Sequence, residues 1–412
     1  MNVQTQETAA PVAPLTDWKK APTLLELKQD LMDAKPVHDS QVGKIERWLD
    51  NLHVRGKAKP NTGEGNSQIQ PKLIRKQAEW RYPALSEPFL STPDIFKVKP
   101  KTWEDRKAAQ QNQLLLNHQF NTSIDKVRFI DQYVRAAVDE GTVIVRVGWE
   151  YEDEKYQEEI DEFIYVVKPD AAQLHQELAQ LKQESPSQYA TDVPEELKQA
   201  HELTIERGEP VAPVPTGKKV WVTRTRVLKN RPTAEVCKVA NVVFDPTCKG
   251  DMEKAGFCVF TFESSKGVLG KDRRYKNLDR INVPNNSVLS QPDHAPDGGQ
   301  HNFNFSDDAR KKFLVHEYWG LRDITGDGTL TPIVVAWVGD VKIREEINPF
   351  PDKGLPFIVE QYLPVRDETY GEPDGELLED NQKVIGAVTR GMIDIMAKSA
   401  NGQTGIRKDM LD

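Results

Sequence analysis

Apolar residues fall first at helical and later at alternating spacing along this chain. In "TLLELKQDLMD", residues 23–33, leucines recur at helical intervals behind a Thr with a Glu three places on, the signature of a capped helix start. A second helix is predicted over residues 39–52, then a turn-rich loop, "KAKPNTGEGNSQ". Helical patterns resume in "IQPKLIRKQAEWRYPAL" and "TWEDRKAAQQNQLLLNHQF". In "SIDKVRFIDQYVRAAVDEG", Ile124, Val127, Ile130, Val134 and Val138 share one face, and Gly141 stops the helix. "TVIVRVGWEYE" then alternates like a strand.

An acidic run at residues 152–162 is expected to be a solvated hairpin or edge, with "EFIYVV" returning as a strand. Leu174, Leu178 and Leu181 stripe one helix, and "PEELKQAHELTIERGE" makes a second after a loop, so a helical hairpin is inserted between strands. The Pro-rich "EPVAPVPTGKK" closes it as a linker. From Lys218 the pattern is mainly β: "KVWVTRTRVLK", "AEVCKVANVVF", "GFCVFTFES", "KKFLVHEYWGLRD", "TPIVVAWVGDVKIREE" and "PFIVEQY", with a long polar, partly mobile loop at 282–308. The expectation is an α+β fold in five parts: a disordered tail (1–22), a helical part entering a sheet (23–168), a helical hairpin with its linker (169–217), a mainly β part (218–372) and a long closing helix with a short segment after it (373–412).

The closing helix is the most informative stretch. Leu378, Ile385, Val388, Met392 and Ile395 form an i, i+3/4, i+7 stripe, widened by Leu377, Val384 and Met396. The opposite side carries Lys383, Thr389, Arg390 and Asp394, so the helix has one apolar and one mixed-charge face. Gly386 and Gly391 each cost about 1 kcal/mol against Ala in a helix interior, a cost that makes sense where a neighbour must come close. The stripe fits an ordinary core helix or an assembly surface equally well.

Composition narrows the function classes. The 412 residues exceed what one core supports, so more than one domain is expected. With 64 acidic and 55 basic residues the net charge is -9, and the pI is about 5.6, which argues against tight sequence-specific DNA binding. A mean hydropathy of -0.62 indicates much polar surface. Cys237, Cys248 and Cys258, an odd number without CxxC spacing, read as reduced thiols. The first residues lack a cationic start and an apolar core, so no signal peptide is expected, and there is no run of 18 apolar residues to span a membrane.

Candidate chemistry fails on inspection. "HELTI" at His201 has Ile205 where a zinc helix needs its second His. "SSKGVLGKD" puts Ser265 at the first Gly of a phosphate loop and Asp272 at its Ser/Thr. "DITGDGTLTPIV" offers Asp323, Thr325 and Asp327 but ends on Val334 where a calcium loop needs Glu, so a Gly-rich turn is expected. "TGEGNSQ" has Gln68 at the third Gly of a dinucleotide fingerprint. No catalytic, metal or cofactor residue is assigned, which points to a structural protein. A polar scaffold or adaptor of a larger assembly, and a metal-dependent nucleic-acid enzyme, remain as other readings.

Three stretches in order resemble the portal proteins of tailed bacteriophages, of the large type found in short-tailed phages. They are "ANVVFDPTCKGDMEKAGFCVFTF", "LVHEYWGLRDITGDGTLTPIVVAWVGDVKIREEINPFP" and "YGEPDGELLEDNQKVIGAVTRGMIDIMAKSANGQTG", and the likeness spans most of residues 70–405. The resemblance implies a helix-rich wing-like domain with antiparallel sheet, and a stem-like closing helix. It implies a homo-oligomeric ring, usually of twelve subunits, at one capsid vertex of the virion, assembled in the host cytoplasm. The ring would be a channel for packaging and ejecting double-stranded DNA, with no catalytic site, cofactor or membrane contact. Implied partners are the packaging motor (terminase), head-completion or tail adaptor proteins, and capsid or scaffold protein. Leu378, Ile385, Gly386, Val388, Gly391, Met392 and Ile395 would then pack the stem, and Lys383 and Arg390 are candidate channel or inter-subunit contacts. Family members continue past this helix into a clip and a returning stem helix, so the resemblance implies that this chain is a portion of a longer product.

Overall fold

The computed structural model describes residues 15–282, 294 and 305–402. The chain divides into two compact units, Met1–Glu150 with Arg231–Asp412, and Tyr151–Asn230.

In the larger unit, α1 (Leu24–His53) starts on Thr23, whose hydroxyl accepts from the Glu26 backbone N–H while the Glu26 carboxylate accepts from the Thr23 N–H. Two helices were expected here, and one continuous helix is found with Pro36 inside it. An interior proline costs about 3 kcal/mol. Burial on both sides of it offsets that: Leu27 and Ala34 pack on one core, Ile45, Trp48 and Leu49 on another. Next come α2 (Leu73–Leu90), α3 (Arg106–Thr122) and α4 (Lys126–Glu140). Helix α4 buries Ile130, Val134 and Val138 as expected and ends on Gly141 in the left-handed region, φ 73°. Val127 does not join that face; in the first turn it lies exposed, beyond the core the other three fill.

Strand β1 (Thr142–Val167) pairs antiparallel with β8 (Phe357–Gln361) over Thr142–Arg146. A second, fully antiparallel sheet runs in the order β3 (Val242–Phe244), β4 (Phe257–Ser265), β5 (Lys312–Arg322), β6 (Thr331–Val338), β7 (Val341–Ile347), and the short α8 (Lys266–Leu269) follows β4. The α+β class expected from the sequence is the one found. The main core gathers α1, α2, α4 and these sheets around residues such as Trp48, Ile144, Phe260, Trp319 and Val334. Within it Glu317, fully buried on β5, accepts from Arg344 (2.6 Å), Arg146 (2.7 Å) and the Trp319 indole (3.1 Å), so its charge is matched where water cannot reach.

Of the segment expected as a tail, residues 15–22 are described. Trp18 packs against a sheet core there, and the Lys20 N–H donates to the Ile324 carbonyl at 3.0 Å. The polar loop at 282–308 falls mostly outside the described residues.

The smaller unit is a two-stranded ribbon of β1 and β2 (Val211–Cys237) joined through α5 (Ala172–Glu184), α6 (Pro186–Asp192) and α7 (Glu195–Arg207). The inserted helices expected between strands are present, and α6 occupies most of the expected loop. Leu178, Tyr189 and Val193 form their core; Leu174 stays largely exposed. The acidic run is mid-strand, and "EFIYVV" continues that strand instead of returning. Opposite charges across the ribbon explain this: Glu152–Lys229, Glu154–Arg226 and Glu158–Arg224 lie 3.2–3.3 Å apart. The expected Pro-rich linker is likewise part of β2, which lies at the sheet edge, where prolines such as Pro213 and Pro215 are tolerated.

Candidate assembly surface

The closing helix, α9, runs Asp374–Ala400, 27 residues and roughly 40 Å at ~1.5 Å per residue. Its start is set by two glycines. A Cβ on Gly371 would lie 2.7 Å from the Gly141 carbonyl oxygen, and one on Gly141 would lie 2.6 Å from the Glu372 backbone. Only bare backbone fits on either side of this crossing, which explains the Tyr-Gly before the helix. The Gly371 N–H donates to the Thr142 hydroxyl at 2.9 Å, and the Tyr362 N–H to the Gly141 carbonyl at 2.9 Å, fixing where the chain turns into α9.

Acidic groups in the first turn suit the positive end of the helix dipole. Asp374 takes a bond from Arg81 at 2.9 Å, and Glu376 takes bonds from Arg47 and the Trp48 indole, which hold its carboxyl below the usual range against the opposing effect of burial. Further along, buried Gln382 donates to the Asn51 carbonyl (2.8 Å) and accepts from the Ile74 N–H (3.0 Å), joining the end of α1 to the start of α2. The Gln70 amide donates to the Gln382 carbonyl at 2.7 Å and lies so close over Gly386 that a Cβ there would overlap it. Arg390 donates to the Gln70 side chain at 2.5 Å, and Asp394 accepts from the Ser67 N–H at 2.7 Å. Residues 67–74 thus lie along α9 and satisfy its polar side.

The inward face of α9 is therefore its polar and small-residue face: Gly375, Gln382 and Gly386 are buried, and Thr389 and Arg390 partly so. The apolar stripe points the other way. Leu377, Val384, Ile385, Val388, Met392, Ile395 and Met396 are 46–69% exposed, and Leu378 alone of the stripe packs on the core. This orientation excludes the ordinary core-helix reading within one chain. Gly386 does meet a close neighbour, the Gln70 side chain, whereas Gly391 faces open space. Lys383 pairs with Glu379 at 2.5 Å on its own helix, and Arg390 is engaged by residues 69–70 of its own chain.

Sequence reading missed Gln382, Gln70, Ser67 and the Gly141–Gly371 crossing. A polar residue at an interior-facing helical position was the one available sign, and without the fold it reads as surface.

The failed motifs have structural uses. His201 is buried on α7, stacked on His175 with ring centroids 5.6 Å apart, and Ile205 is exposed. Residues 323–330 form the β5–β6 turn, with Gly326 and Gly328 at φ 82° and 86° and Asp323 accepting from the Gly326 N–H at 2.7 Å. Among the described residues no three His, Cys, Asp or Glu side chains gather as a metal site, and no helix is long and apolar enough to cross a membrane. The comparison with known families agrees with the resemblance carried by the order of motifs: the model of the family described as Phage SU10 portal protein matches residues 23–412, and the chain belongs to that phage portal family.

Proposed function

We propose that this chain is the subunit of a homo-oligomeric portal ring whose subunits meet through the apolar face of α9. The carrying observation is the inverted helix, with polar groups satisfied by its own chain and seven large apolar side chains turned to solvent. Full burial of such a side chain contributes roughly 1.5–3 kcal/mol. With about half of each still exposed, covering the stripe is worth on the order of 7 kcal/mol per interface before association costs. A contiguous apolar strip of this kind marks an interaction surface.

In this reading the ring sits at a capsid vertex of the virion, after assembly in the host cytoplasm, and forms the channel through which genomic DNA is packaged and ejected. It serves as the platform for the packaging motor, for head-completion or tail adaptor proteins, and for capsid or scaffold protein. The ring is structural and holds no catalytic centre. A net charge of -9 suits a channel, since a surface that repels phosphates lets DNA slide, and scattered Lys and Arg supply only weak contacts. Twelve subunits is the number expected.

Electron microscopy of the purified chain, with native mass spectrometry on the same sample, tests the reading. Rings of about twelvefold symmetry with a central hole support it; monomers at every concentration tested count against α9 as a sufficient interface.

A further inference from the structure

We propose that the ribbon of residues 151–230 joins neighbouring copies of this chain edge to edge, with β2 of one copy against β1 of the next. The inference rests on the ring reading only in requiring more than one copy.

The two strands are oppositely charged. From Tyr151 to Val167, β1 holds seven Asp or Glu and one Lys, a net of −6; from Val211 to Asn230, β2 holds five Lys or Arg and no acid, a net of +5. β8 covers β1 only over Thr142–Arg146, so among the described residues no third strand flanks the ribbon. A two-stranded ribbon is marginal in water on its own, and sheet edges invite pairing. This one also leaves large side chains uncovered, including Trp221 at 65% and Ile164 at 56% exposure.

The charges give the edges a direction. β1 against β1, or β2 against β2, would align like charges; β2 against the next copy's β1 repeats the alternation already present inside the ribbon. Arg224 meets Glu158 through Nε (3.3 Å) and Arg226 meets Glu154 through Nη2 (3.2 Å). Each guanidinium has five N–H donors, so a second acidic strand on the other side finds donors ready. Opposite edges on one ribbon make a head-to-tail contact, the kind that closes rings and does not stop at a two-fold dimer. Pro213 and Pro215 remove N–H groups from the start of β2, so the contact is confined to residues 218–230, about 43 Å at ~3.3 Å per residue.

The test is a charge swap, Glu154→Arg with Glu158→Arg, Arg224→Glu and Arg226→Glu, in the whole 412-residue chain. The swap keeps the pairs within each ribbon and lets the variant assemble with itself, but sets like charges between variant and wild-type neighbours. Subunits of the two kinds, mass-labelled, are dissociated, mixed and reassembled. Separate wild-type and variant rings are expected in native mass spectra; hybrids at the statistical frequency overturn the proposal. Amide exchange of wild type covers the case in which the variant does not fold: residues 218–230 should gain at least tenfold protection on assembly, and no gain overturns the ribbon contact. Rings that form without that protection defeat the ribbon and leave the α9 interface standing, whereas a chain that remains monomeric defeats both.

Discussion

Val388→Asp separates assembly from folding. Val388 lies at the middle of the outward stripe, 51% exposed in the single chain, so its replacement breaks no intrachain hydrogen bond and opens no cavity. Within a closed ring the consequence is large. Covering the exposed half of a valine is worth about 1 kcal/mol, which is lost. The carboxylate must also enter an apolar contact; protonating it at pH 7 from an ordinary value of ~3.9 costs about 4 kcal/mol, which caps the penalty. The sum, about 5 kcal/mol per interface, corresponds to a ~10³–10⁴-fold weaker association constant at ~1.4 kcal/mol per tenfold. Sedimentation velocity over a concentration series reads the association, and thermal unfolding of the monomeric fraction reads the fold. The expected result is a monomer whose melting temperature matches that of wild-type monomer to within a few degrees. Rings that persist at wild-type concentrations would refute the interface, and a monomer that no longer folds would refute the orientation of the helix.

Gln382→Ala, six residues earlier on the inward face, should do the reverse. It strands the Asn51 carbonyl and the Ile74 N–H in a buried site, at a cost of about 2–4 kcal/mol in urea unfolding of the monomer; a loss below 1 kcal/mol would show that the seat of α9 lies elsewhere. Gly371→Ala forces a methyl to within 2.7 Å of the Gly141 oxygen and should destabilise by about 1–3 kcal/mol, with an unchanged unfolding midpoint as the contrary result. Glu317→Ala leaves Arg344 and Arg146 without their shared acid in the core, and a loss of about 3–5 kcal/mol is expected from chemical denaturation. Asp139 carries a pH dependence: burial raises its carboxyl to about 6, against the opposing bond from Tyr82 and the charge of Arg135. The folded chain therefore holds this proton more tightly than the unfolded chain, where Asp titrates near ~3.9, so its contribution is full below pH ~4 and is lost as pH rises to about 6, by up to ~3 kcal/mol. Asp139→Asn should flatten that slope in urea midpoints taken from pH 4 to 7; an unchanged slope would remove Asp139 as its source.

Local rules made much of this protein legible from its residues. The Thr23–Glu26 cap, the stop at Gly141, the strand-forming runs of β4 to β7 and the α+β order are each set by side chains within a few positions, and each appears in the fold. Periodicity also placed the apolar residues of α9 on one face. What it could not decide is which side of that helix its own chain covers, because the covering groups, Asn51, Ser67, Gln70 and Ile74, lie more than 300 positions away. The same limit hid the long ribbon. An acidic stretch looks like a solvated turn until the basic stretch roughly 70 residues later lies across from it, and Pro36 looks like a break until burial on both sides outweighs its cost. Spacing along a chain fixes which side chains share a surface. Whether that surface meets the chain itself or solvent depends on contacts between distant segments, and in α9 those contacts satisfy the polar groups and leave the apolar ones facing outward.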